Sequence, residues 1–111
     1  MEEYHRGIGL FNRGAFFEAH EAWEDGWHDA EGLEKKFLQG LVQVAVAFHH
    51  HSVGNLVGAS SVLERARRNF GEFPEEFGGI SVKALLQSLE KWQQALAMGG
   101  PYPALPELGK Y

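Results

Sequence analysis

Apolar side chains recur every three to four positions through most of the chain, the period of a helix with one buried face rather than the alternation of a strand. Between about Glu2 and Phe11, Tyr4, Ile8 and Phe11 share one stripe, and Asn12-Arg13-Gly14 ends it with a tight-turn signal. From about Ala15 to His28, Phe16, Ala19, Trp23 and Trp27 fall on one face with Phe17 close beside it, so a second helix anchored by two tryptophans is predicted. A third, about Leu33 to Ser52, stacks Leu33, Phe37, Leu41, Val44 and Phe48, and its other sides are largely apolar or uncharged from Leu38 onward. A helix of that kind belongs at the centre of a bundle. Asn55 is a natural N-cap for a fourth helix to about Asn69, with Leu56, Ala59, Leu63, Ala66 and Phe70 inward. The small residues Gly58 to Ser61 predict a close approach to the third helix there. After a Gly- and Pro-containing connection over residues 73–79, Ser81 caps a fifth helix to Met98, with Val82, Leu85, Leu89, Trp92 and Leu96 inward. The tail GGPYPALPELGKY carries three prolines and cannot continue a helix; Tyr102, Leu105 and Leu108 are its expected contacts. The expectation is an all-α compact bundle of about five helices around a buried third helix: one domain over residues 1–98, with an extended tail over 99–111 packed on it.

Composition sharpens this. Seven Val, two Ile and no Thr leave little material for a sheet, and 13 of the 15 acids are Glu, a good helix former. At 111 residues there is enough chain for one core. The absence of cysteine removes disulfides, thiolate zinc sites, iron–sulfur clusters and thiol nucleophiles together. A net charge of -5 repels a phosphate backbone, so nucleic acid is not an expected partner. The longest apolar stretch, Phe37 to Phe48, is broken by Gln39 and Gln43 and is too short to span a bilayer, which needs about 20 residues. The start, MEEYHRGIGLF, has no basic region before an apolar one. A soluble, cytoplasmic protein with no membrane partner is expected. Charge is segregated: residues 1–34 hold nine acids and two bases, residues 35–70 one acid and five bases, and residues 71–111 five and three. Either the acidic and basic regions complement one another within the chain, or they meet between protomers of a homo-oligomer.

The candidate chemistry lies in the run from Glu18 to His28. His20 falls within about 40° of Phe16 and about 20° of Trp27 on a helical wheel, and Glu24 sits one turn away on the adjoining flank. A histidine and a carboxylate are thus expected to face inward, and a buried carboxylate needs a partner. Gln39, Gln43 and His50 form a polar stripe on the third helix, with Asn55 at the next turn. If that stripe faces the second helix, these groups converge in one pocket, with Glu21 as a nearby acid. Three readings of such a pocket stand open. It is a structural hydrogen-bond network, a site where His20, Glu24 and His50 hold a divalent metal, or an acid–base or small-ligand site with His20 as proton carrier. A non-catalytic interaction or oligomerisation domain is the competing class. HEAWE has only the first half of the zincin motif, and no P-loop or GxGxxG occurs. Of the consecutive His49, His50 and His51, only one can face a given pocket, because neighbours on a helix point about 100° apart.

The segments FNRGAFFEAHEAWEDGW, FLQGLVQVAVAFHH and GNLVGASSVLERA, in that order, resemble a prokaryotic domain-of-unknown-function family, number 309. The resemblance covers about residues 8 to 70. It implies a multihelical bundle of uncharacterised activity and a shared polar set, here Glu18, His20, Glu21, Glu24, Gln39, Gly40, Gln43, His50, Asn55 and Gly58. The first helical pair also looks like a single tetratricopeptide-type hairpin, but that repeat needs stacked neighbours and no second copy is present.

Overall fold

Each predicted helix forms within two residues of its expected ends in a computed structural model, which describes residues 2–109. The elements are α1 (Glu2–Asn12), α2 (Phe16–Asp29), α3 (Gly32–Ser52), α4 (Leu56–Phe70), β1 (Glu76–Phe77), β2 (Ile80–Ser81) and α5 (Val82–Met98). Short connections make successive helices antiparallel neighbours. Asn55 Oδ1 accepts from Gly58 N at 2.9 Å and Ser81 Oγ from Ala84 N at 3.1 Å, so both predicted caps operate. Gly99, left-handed at φ 79°, ends α5.

The third helix does occupy the centre. Its Phe37 ring lies 6.4 Å from Tyr4 of α1 and 5.4 Å from Phe70 of α4. One end further, Phe48 meets Phe11 of α1, Phe16 of α2 and Trp92 of α5 at 5.9, 5.7 and 4.9 Å. α3 packs tightly on α4 at Gly40, where a Cβ would lie 2.8 Å from Phe70 Cζ. At the small-residue start of α4, the missing side chain of Gly58 instead makes room for the capping Asn55.

The connection after α4 is more ordered than composition suggests. Phe77 pairs with Ile80 and Glu76 with Ser81 across Gly78 and Gly79, both at positive φ. A two-residue hairpin needs that conformation, and glycine adopts it without strain. Tyr4 Oη donates to the Gly78 carbonyl at 2.5 Å and ties the hairpin to α1. Three expected core residues lie outside. Leu33 is 62% exposed and Leu56 40% exposed, because each sits in the first turn of its helix, beyond the reach of its neighbours; Leu105 is also exposed. In the tail, Leu108 is buried and Tyr102 stacks on Trp92 at 5.3 Å. Asn12 Nδ2 donates to the Leu108 carbonyl at 2.8 Å while Leu108 N donates to Asn12 Oδ1 at 2.9 Å. No helix among the described residues is long and apolar enough to cross a membrane.

Candidate functional site

The inner face of α2 is set by Phe16, Ala19, Ala22, Trp23 and Gly26, which leaves His20, Glu24 and Trp27 on the edge beside α3. His20 Nε2 faces Glu24 Oε2 at 3.3 Å; the His20 side chain is 20% exposed and that of Glu24 52%. The expectation of an inward carboxylate is therefore corrected. Glu24 follows His20 by 400° of helical turn, enough to carry it out of the core face to the solvent flank. Glu21 is exposed on the same flank. Two polar atoms on this edge are buried without a hydrogen-bond partner, His20 Nδ1 and Trp27 Nε1. Lys35 Nζ lies over the Trp27 ring at 4.1 Å, a cation–π contact between the two helices.

Across from this edge, Gln39 and Val42 of α3 join Glu24, Trp27 and His28 around an open groove of about 260 Å³. Gln39 is exposed. Gln43, expected in the same pocket, turns the other way: its Oε1 accepts from Asn69 Nδ2 of α4 at 2.8 Å. His50 also points to the α4 side, with its Nδ1 3.4 Å from Asn55 Nδ2, and Asn55 N donates to the His50 carbonyl at 2.8 Å. The histidine on the α2 side is His49, whose ring lies 5.5 Å from Phe17, itself 5.6 Å from the His20 ring. His51 packs edge-on against Trp92 and Tyr102. The structure thus pairs His20 with Glu24, sets Gln39 opposite them, and places Gln43, His50 and Asn55 on the far side of α3. Among the described residues no three His, Asp or Glu side chains come together to hold a metal ion, so His20, Glu24 and His50 do not form the expected triad.

What these residues share is a face. The buried positions of α3 are Phe37, Leu38, Gly40, Leu41, Val44, Ala45, Ala47 and Phe48, and the helix face turned away from them shows Gln39 and Val46 along its middle, with Val53 just past its C-terminal end. Val42 and His49 lie on the α2 side of that line, by their groove and ring contacts with α2. Gln43 and His50 lie on the α4 side, by their bonds to Asn69 and Asn55. Sequence periodicity missed this because a helix apolar nearly all round gives no sign of which stripe its neighbours leave open.

Fold and face define a small all-helical domain with an outward polar–apolar surface built from its central helix and the two helices beside it. The chain belongs to the family described as Domain of unknown function (DUF309), whose sequence profile matches residues 4–62, that is α1 to α3 and the first half of α4. It is similar to an uncharacterised protein of Aquifex aeolicus (strain VF5), 31% identical over 99 residues, which are 88% of this chain and 28% of the relative. It is also similar to the uncharacterised protein YpuF of Bacillus subtilis (strain 168), 35% identical over 54 residues, 48% of this chain and 31% of that protein. The chain spans under a third of the length of the curated relatives it matches.

Proposed function

We propose that this domain is a non-catalytic helical interaction module that docks a helix of another chain against the outer face of α2, α3 and α4. The observation that carries the reading is the uncovered stripe of α3. Gln39, Val46 and Val53 recur every seven residues, flanked by Val42 and His49 on one side and by Gln43 and His50 on the other, with Val42 and Val46 half-buried and Val53 65% exposed. Spacing of three and four is what a second helix needs to seat its side chains between those of the first. The bonds of Gln43 to Asn69 and of Asn55 to His50 and Gly58 act within the fold, as a structural network. A photo-cross-linking residue at position 39 of the full chain, in cells, tests the reading, with Lys91, exposed on α5, as the control site. A discrete protein adduct at 39 and none at 91 supports it; no adduct at 39, or equal adducts at both, overturns it.

One observation favours a second reading. Trp27 Nε1, buried and unpartnered, belongs to the lining of a groove shared with Glu24, Gln39 and His28, and Glu24 faces His20 Nε2 at 3.3 Å, so a small polar ligand would sit in that groove, or a divalent metal would take His20 and Glu24 as two of its ligands. Elemental analysis of protein purified without chelator, beside His20→Ala, tests the metal: stoichiometric metal in the native protein and none in the variant would favour this reading over docking.

A further inference from the structure

We propose that the groove between α4 and α5 binds a small zwitterion, an ω-amino carboxylate that carries its ammonium and carboxylate groups at opposite ends of an apolar chain. The site is separate from the outer face described above, since no residue of α2 or α3 lines it. The groove holds about 640 Å³, within the range of about 300–1,000 Å³ typical of small-molecule sites. Phe73, Val82 and Leu86 give it an apolar floor.

Charge decides the class of ligand. Glu64, Arg67, Arg68, Glu75, Lys83 and Glu90 all line this one groove, yet they leave one another largely unpaired. Among the described residues the one ion pair within it is Arg68 with Glu64, at 3.9 Å. Arg67 is half-buried and has no described carboxylate at ion-pair distance, and neither has Lys83.

The order of these charges follows from one register point. Gln93 Nε2 donates to the Ser60 carbonyl at 3.1 Å and to Ser60 Oγ at 2.7 Å. Because α4 and α5 are antiparallel, each step forward from Ser60 matches one step back from Gln93. Glu64 and Glu90 therefore stand at matching heights, nearest the Ser60–Gln93 bridge. Arg67 and Arg68 follow about 5 Å further along, and Lys83 stands about 10 Å from Glu90, at 1.5 Å per helical residue. Beyond Lys83 come Phe73 and Pro74 of the connection and then Glu75, whose carbonyl accepts from Lys83 N at 3.2 Å.

An ammonium group thus suits the Glu64 and Glu90 end, and a carboxylate suits Arg67, Arg68 and Lys83, about 5–10 Å away. The chain joining them lies over Leu86 and Val82. A guanidinium also matches a carboxylate in shape, with two parallel N–H donors. A ligand of one charge satisfies one end and meets like charge at the other. The Ser60–Gln93 bridge and the connection bound the groove lengthwise, which favours a short ligand over a peptide running through.

Titration of the full chain with 6-aminohexanoate, hexanoate and hexylammonium at equal ionic strength, followed by backbone amide NMR, tests the proposal. Shifts at Lys83, Leu86 and Gln87 are expected with 6-aminohexanoate. Its affinity is expected to exceed that of either singly charged probe by about threefold or more, the scale of one added charge contact near a surface. R67Q/R68Q is expected to remove the preference over hexylammonium, and E64Q/E90Q the preference over hexanoate, with helical circular dichroism unchanged in both. A singly charged probe that binds as tightly as 6-aminohexanoate would overturn the proposal. So would an absence of shifts at the groove, or variants that keep both preferences.

Discussion

The Trp23 indole lies directly across Gly7, so that a Cβ at position 7 would collide with the ring, and the same indole donates from Nε1 to the Tyr4 carbonyl at 3.0 Å. One helix is thus docked on another by a ring that needs both a missing side chain and an available carbonyl. Trp23 is fully buried, so it has no room to retreat. Gly7→Ala gains helix propensity of about 1 kcal/mol, yet overpacking at a rigid aromatic costs about 1–3 kcal/mol or somewhat more. A net loss of stability is expected, read as a lower urea midpoint. A midpoint at or above that of the native chain would show that Trp23 can shift.

Asn12→Ala removes both hydrogen bonds that hold the tail at Leu108. With a net contribution of about 0.5–1.5 kcal/mol for each bond, a loss of about 1–2 kcal/mol is expected, together with faster amide exchange confined to the tail. Leu108→Ala, which empties a buried site, is expected to cost about 2–5 kcal/mol. If exchange in the tail is unchanged in Asn12→Ala, the side-chain clamp is not what holds it.

Asn55→Ala takes away the α4 cap at Gly58 N, and a loss of about 1 kcal/mol is expected. Asn55→Asp, which keeps the accepting oxygen, is expected to retain most of that stability. Because the His50 contact at 3.4 Å is made by the amide nitrogen, equal melting temperatures for the Ala and Asp variants would mean that this contact, and not the cap, is what matters.

His20→Leu replaces a ring whose Nδ1 is buried without a partner, and leaving such an atom unsatisfied costs about 1–3 kcal/mol. The variant is expected to be as stable as the native chain or more so by thermal denaturation, and to keep the residue-39 adduct. Strong destabilisation would show that the Glu24 contact on the other side of the ring outweighs the orphaned nitrogen.

The helices and most of the core were legible because period, caps and glycine punctuation agree locally: Tyr4, Trp23, Phe37, Phe48, Leu63 and Leu89 all lie inside as their spacing requires. The β1–β2 hairpin was not, since two-residue strands have no period and their signal reduces to Gly78-Gly79. The polar residues were found, but their arrangement was not. His20, Gln43 and His50 are spaced correctly along their own helices, yet whether Gln43 turns toward α2 or α4 depends on how α3 is rotated between its neighbours. That rotation is fixed by tertiary packing such as Phe70 against Gly40, which spacing within one helix does not encode.

The clamp between Asn12 and Leu108 joins residues 96 positions apart. Closing so long a loop carries an entropic cost that nearer contacts along the chain do not bear. During synthesis α1 to α5 can collapse before the residues around Leu108 are made, so the Asn12 side-chain amide at the last turn of α1 has no protein partner until they emerge. Tail docking is then a closing step of assembly, and the same contact is the natural first point of departure when the fold opens.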